Sequence, residues 1–149
     1  MSTYTQIIYQ IVYSTKDHER TIIDSGQEPL YSYIAGVIKE HNCHLYRING
    51  TEDHIHIVTH IHPSVALAQL VKNIKLSSSD YIKDKNIFPY FEGWQIGYGA
   101  FTYTITAKEN LIQYVIDQKE HHKKMTFQEE YIKLLKEHNI EYDERYVFS

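Results

Sequence analysis

The chain has 149 residues, 42% of them hydrophobic, with three prolines and six glycines, a composition that supports one packed domain over 1–149 and excludes a disordered tail. A formal net charge of −4 excludes a protein that coats nucleic acid by bulk charge, although a local basic face could still hold a phosphate backbone. A lone cysteine, Cys43, excludes an internal disulfide. Met1-Ser2-Thr3-Tyr4 has no signal-peptide pattern and no apolar run nears the roughly 20 residues of a membrane span, so a cytoplasmic protein without a membrane partner is expected.

Gln6 to Tyr13 is a β-branched and aromatic run that reads as a first strand. Glu28-Pro29 opens a helix whose apolar positions Leu30, Ile34, Val37 and Ile38 form a one-sided stripe. Cys43 to Ile48 and Ile55 to Ile61 alternate as strands, and Asn49-Gly50 between them predicts a tight turn extended by Thr51-Glu52-Asp53. Ser64 is positioned to cap a second helix carrying Val65, Leu67, Leu70, Val71 and Ile74, with Ser77-Ser78-Ser79 as a candidate kink before Tyr81-Ile82. Gly97 to Ile105 reads as a fourth strand. Thr106 and Glu109 have capping-box spacing before a helix from Ala107 to about His122, and Thr126 and Glu129 repeat it before a last helix with Phe127, Tyr131, Leu134 and Leu135 inward. The order β-α-β-β-α-β-α-α predicts an α+β fold: an antiparallel four-stranded sheet with helices on one face, a ferredoxin-like or RRM-like split β-α-β unit, plus C-terminal helices.

Two features carry chemistry. In Asp53-His54-Ile55-His56 the imidazoles at i and i+2 point to one face of a strand about 6 to 7 Å apart, close enough to share a cation. Alone, the pair does not separate a metal site from a solvated His-rich strand face, and His60-Ile61-His62 repeats it. On the predicted third helix, Leu111, Ile112, Val115 and Ile116 define the buried stripe, which turns Tyr114 about 130° away from it, with Gln118 one turn further on the same side. Periodicity leaves open a solvated helix face; the functional alternative makes Gln118 a candidate third ligand and Tyr114 a candidate nucleophile. His121 is a candidate additional ligand ahead of His122, which turns closer to the apolar stripe, and Asp53 is a candidate to orient an imidazole.

The ordered set, with Thr15-Lys16, Leu70-Val71-Lys72, Ser77-Ser78-Ser79 and Trp94 through Gly97-Tyr98, resembles the HUH single-tyrosine transposases of bacterial insertion sequences over nearly the whole chain. The resemblance implies metal-dependent cutting and rejoining of single-stranded DNA at hairpin-bearing ends. It implies His54, His56 and Gln118 as ligands of Mg²⁺ or Mn²⁺ and Tyr114 as the nucleophile forming a 5′-phosphotyrosine. It also implies a homodimer with composite active sites. Lys72, Lys75, Lys119 and Lys123 are candidate DNA contacts. Two alternatives stay open: a domesticated relative that processes chromosomal repeat hairpins, and a non-catalytic single-stranded nucleic-acid binding module.

Overall fold

The computed structural model describes residues 1–149. Four strands, β1 (Ile8–Ser14), β2 (His44–Gly50), β3 (His54–His60) and β4 (Gly99–Tyr103), form one antiparallel sheet in the order β2-β3-β1-β4. α1 (Asp24–Glu40) crosses from β1 to β2 and α2 (Leu67–Lys85) from β3 to β4, each connecting two strands that are parallel with one strand between them. This is the split β-α-β arrangement expected from the sequence. The near-universal right-handedness of such crossovers puts both helices on the same side of the sheet.

Alternation along the strands then sorts the side chains. Ile11 and Tyr13 of β1 and Ile55 and Ile57 of β3 join Leu30, Ile34 and Ile38 of α1 and Leu70, Val71 and Ile74 of α2 in the main core. The opposite face is covered by the C-terminal helices α3 (Lys108–Ile116), α4 (Gln118–His121) and α5 (Phe127–Glu137). There Ile8 and Val58 meet Leu111 and Val115, while Val12 and Phe101 meet Phe127, Tyr131, Leu134 and Leu135. Helices therefore flank both faces, with His54 and His56 of β3 on the side of α3 to α5. No helix is long and apolar enough to cross a membrane.

Local differences from the sequence reading have physical causes. Asn49 and Gly50 belong to β2, paired with His56 and Ile55, and the connection is made by Thr51 to Asp53. A Cβ at Gly50 would overlap the His54 carbonyl oxygen, so the glycine serves a close approach of two strands instead of a turn. α1 begins at Asp24, ahead of Pro29, and α2 begins at Leu67 after Ala66 without a side-chain cap, then passes Ser77 to Ser79 unbroken. Ser78 Oγ donates to the Ile74 carbonyl at 2.6 Å and accepts from Trp94 Nε1 at 3.0 Å. The capping box expected at Thr106 is absent, a 3-10 turn at Ile105–Ala107 leading into α3 instead. The one at Thr126 and Glu129 is formed, both bonds at 3.1 Å.

Candidate active site between the sheet and the C-terminal helices

β3 delivers His54 and His56 to one face, fully buried. The register shift between Leu45 and Arg47 in β2 sets Asn49 opposite His56. Asn49 Nδ2 donates to the carbonyls of Val115 at 3.1 Å and Ile116 at 3.0 Å. Two carbonyl oxygens at the end of α3 are thereby satisfied by the strand beside the histidines, which ties the Tyr114 helix to the sheet.

The expected single helix from Ala107 to His122 is broken at Asp117, where φ −87° and ψ 14° leave the helical region. The break resets the angular phase. Gln118 becomes fully buried, and His122, whose N–H donates to the Gln118 carbonyl at 3.0 Å, points into the same space. His121 lies outside it, its ring against that of Tyr114 at 4.8 Å between centroids. The preference for His121 over His122 is therefore corrected, because a continuous 100° per residue does not hold across the break.

At the centre stands Glu130, a residue the sequence reading missed. It is fully buried on α5. His56 Nε2 lies 2.9 Å, His122 Nε2 3.0 Å and His54 Nε2 3.4 Å from its Oε1. Its Oε2 accepts from Gln118 Nε2 at 2.9 Å and from the Tyr114 hydroxyl. Ligand atoms of His54, His122 and Glu130 lie within 4.8 Å of one another. The missed signal was a charge at an inward position: Glu130 is three residues after Phe127 and four before Leu134, on the stripe that docks α5.

His54 Nδ1 faces Asp53 Oδ1 at 2.7 Å and its Nε2 faces Gln118 Oε1 at 2.9 Å. Both ring nitrogens face acceptors, an arrangement that favours the protonated imidazole. Burial disfavours that charge, but the hydrogen bonds to Asp53 and Glu130 and their negative charge overcome it and push its pKa up to about 9. His56 meets one carboxylate instead of two, and burial prevails, lowering its pKa. Burial also opposes ionisation of Glu130, yet the facing His56 and the hydrogen bonds from His122, His54 and His56 hold it well below the usual carboxylate range. Tyr114 is raised by burial and then by the Glu130 charge.

The structure thus brings together Tyr114, His54, His56, Gln118 and Asp53 from the sequence reading. Two imidazole nitrogens, an amide oxygen and a carboxylate converge in a site with no lysine or arginine, a donor set that fits a divalent cation. Asp53 on Nδ1 of His54 is the kind of partner that would orient the imidazole as a ligand. His60 and His62 are elsewhere: His60 Nδ1 engages the Ile7 backbone and His62 Nδ1 pairs with Ser64.

Against this geometry, residues 3–118 match the family model described as "Transposase IS200 like". The chain belongs to the IS200-like transposase family. As a member it is a DNA transposase, a DNA-processing enzyme. Two solved structures are similar in fold. One, from Deinococcus radiodurans R1 and assigned as a transposase, has 18% identity and TM-score 0.60, over 79% of this chain and 95% of that one. The other, a REP-associated tyrosine transposase bound to a REP hairpin, has 12% identity and TM-score 0.61, over 82% of this chain and 74% of that one. Among curated proteins none matches this transposase by sequence.

The candidate DNA contacts divide. Lys119 and Lys123 line a cleft of about 600 Å³ beside the site, with Arg20, Lys124 and His122. Lys72 and Lys75 belong to α2, across the sheet from the histidines. Lys75 is occupied: its Nζ donates to the carbonyls of Gln95 at 2.9 Å and Gly97 at 2.5 Å, and sits 4.9 Å from the Tyr13 ring centroid. Those bonds make Lys75 a brace for the 95–97 loop.

Proposed function

We propose that this transposase cuts and rejoins single-stranded DNA at hairpin-bearing ends, with Tyr114 as the nucleophile. The observation that carries the reading is that His54 and His56 of β3, and Tyr114 and Gln118 some sixty residues later, all meet one buried carboxylate. In the reaction the Tyr114 phenol oxygen bonds to phosphorus and the bond to the 3′ oxygen breaks. A 3′-hydroxyl leaves and the 5′ phosphate stays on the tyrosine. A phenol, with a pKa of about 10, is also a good leaving group, so the linkage can be reversed by the 3′-hydroxyl of a second strand.

His54, His56 and Gln118 would hold Mg²⁺ or Mn²⁺, which when bound supplies positive charge to the scissile phosphate. Gln118 presents its oxygen toward His54 while its amide N–H is fixed on Glu130. Glu130 Oε2 receives the Tyr114 proton in its hydrogen bond and sets the direction of the hydroxyl. Tyr114 and the histidine pair meet within one chain, which favours attack in cis; a homodimer would then not need to exchange tyrosine helices. Fold similarity to a transposase bound to a REP hairpin supports a hairpin substrate and favours a second reading, processing of chromosomal repeats. Hairpin copies scattered through the genome, in place of a pair flanking the gene, would select it.

Incubation with hairpin-bearing single-stranded DNA and Mn²⁺ is expected to give a denaturant-resistant protein–DNA adduct. Tyr114→Phe, which keeps the ring, is expected to give none. An adduct of undiminished yield from Tyr114→Phe would remove the tyrosine from the reaction.

A further inference from the structure

We propose that Glu130 is itself a ligand of the site cation through Oε1 while it holds the nucleophile Tyr114 through Oε2, so that one side chain from α5 joins the two halves of the site. The inference rests on the metal-dependent reading above and adds a charged ligand to its three neutral ones.

Glu130 Oε1 stands among three imidazole nitrogens, those of His56, His122 and His54, at 2.9, 3.0 and 3.4 Å. The carboxylate is fully buried, and every ion pair it makes is with a histidine. A buried carboxylate whose only ion-pair partners are imidazoles is costly to keep without a compensating charge, which a cation beside Oε1 would supply. His122, at hydrogen-bonding distance from Oε1, is the positioning residue that aims the carboxylate.

The two oxygens have different partners. Oε1 faces the nitrogens, and Oε2 accepts hydrogen bonds from the Tyr114 hydroxyl and the Gln118 amide. The distance between nucleophile and cation is thus set by the width of one carboxylate. A second consequence is mechanical: α5 is docked by Phe127, Tyr131, Leu134 and Leu135, and a ligand on it makes that docking metal-dependent.

The test is a Mn²⁺ titration of the full chain, with free Mn²⁺ read by electron paramagnetic resonance. Glu130→Gln keeps the shape and removes the charge, and is expected to weaken Mn²⁺ binding about tenfold or more, since ligand charge is a main determinant of affinity for hard cations. His56→Ala is expected to weaken it as well. If Glu130→Gln binds Mn²⁺ within twofold of wild type, or more tightly, while His56→Ala is impaired, the Glu130 assignment is overturned and the histidine site stands. If wild type shows no saturable Mn²⁺ binding, both fall. Hydrogen exchange on wild type covers the case of a variant that does not fold. Mn²⁺ is expected to slow exchange across α5 as well as β3, and protection confined to β3 and α4 overturns the proposal.

Discussion

His56 accepts from Gln10 Nε2 at its Nδ1, at 3.0 Å, so its own proton sits on Nε2 and points at Glu130. To offer Nε2 to a cation the proton has to move to Nδ1, where it needs an acceptor. Gln10 can supply one by rotating its amide, because its other end meets the Tyr103 hydroxyl at 2.6 Å, a group able to donate or accept. Gln10 and Tyr103 thus act behind His56 as Asp53 acts behind His54. Gln10→Leu is expected to fold and to lower Mn²⁺ affinity about tenfold, at the low end of the range for residues that orient ligands, as measured in the same titration. Unchanged affinity would show that His56 needs no partner at Nδ1. The histidine pair and Tyr114 were legible because the periods of strand and helix fix which neighbours share a face. Gln10, alone on an apolar strand, offered no such pairing: its partner lies 46 positions away.

The elements that carry these residues are fixed by a few specific bonds. Asn49 holds the two carbonyls that end α3, and Lys119 Nζ lies 3.4 Å from Asn49 Oδ1 and 3.3 Å from the Gly50 carbonyl. The Asn49-Gly50 pair looked like a turn because both residues favour turns. The structure uses Asn49 as a strut to a helix more than sixty residues later, a role that leaves no local mark, and Gly50 for a close approach to His54 on the paired strand. The break at Asp117 was hidden for a related reason: no glycine or proline marks it, and the inward pull on Gln118 and His122 comes from Glu130 on another helix. Asn49→Ala frees the end of α3 and is expected to cost about 1–2 kcal/mol, the scale of hydrogen bonds lost to unsatisfied acceptors, in denaturant unfolding. Because α3 carries Tyr114 but not the histidines, the DNA adduct is expected to form more slowly while Mn²⁺ affinity stays within about threefold. Equal losses in both would mean that the strut supports the whole site.

Across the molecule, the sheet divides two tasks. α1 and α2 with their face of the sheet form the larger core, and their apolar stripes made that half of the fold readable. The other face is closed by three short helices around a polar cluster, where burial, not periodicity, decides orientation. The DNA-facing charge follows the same division. The cleft beside the site has Arg20, Lys119, Lys123 and Lys124 but also Asp24, Glu52, Asp53 and Glu129, so its field is weak, in keeping with the net charge of −4. Arg20 pairs with Glu52 at 3.2 Å and Lys123 with Glu120 at 2.9 Å; such exposed pairs are weak and can open to a phosphate. With Lys119, Lys123 and Lys124 each taking one phosphate, binding to single-stranded DNA is expected to fall with salt on a log–log slope of about −2, from about 0.7 per contact. Lys119→Ala should make that slope shallower by about 0.7, whereas Lys72→Ala, on the far side of the sheet, should leave it unchanged. Fluorescence anisotropy with a hairpin oligonucleotide at several salt concentrations measures both. A change on Lys72→Ala matching that on Lys119→Ala would place the DNA over α2 and away from the cleft that opens beside His122 and Tyr114's helix.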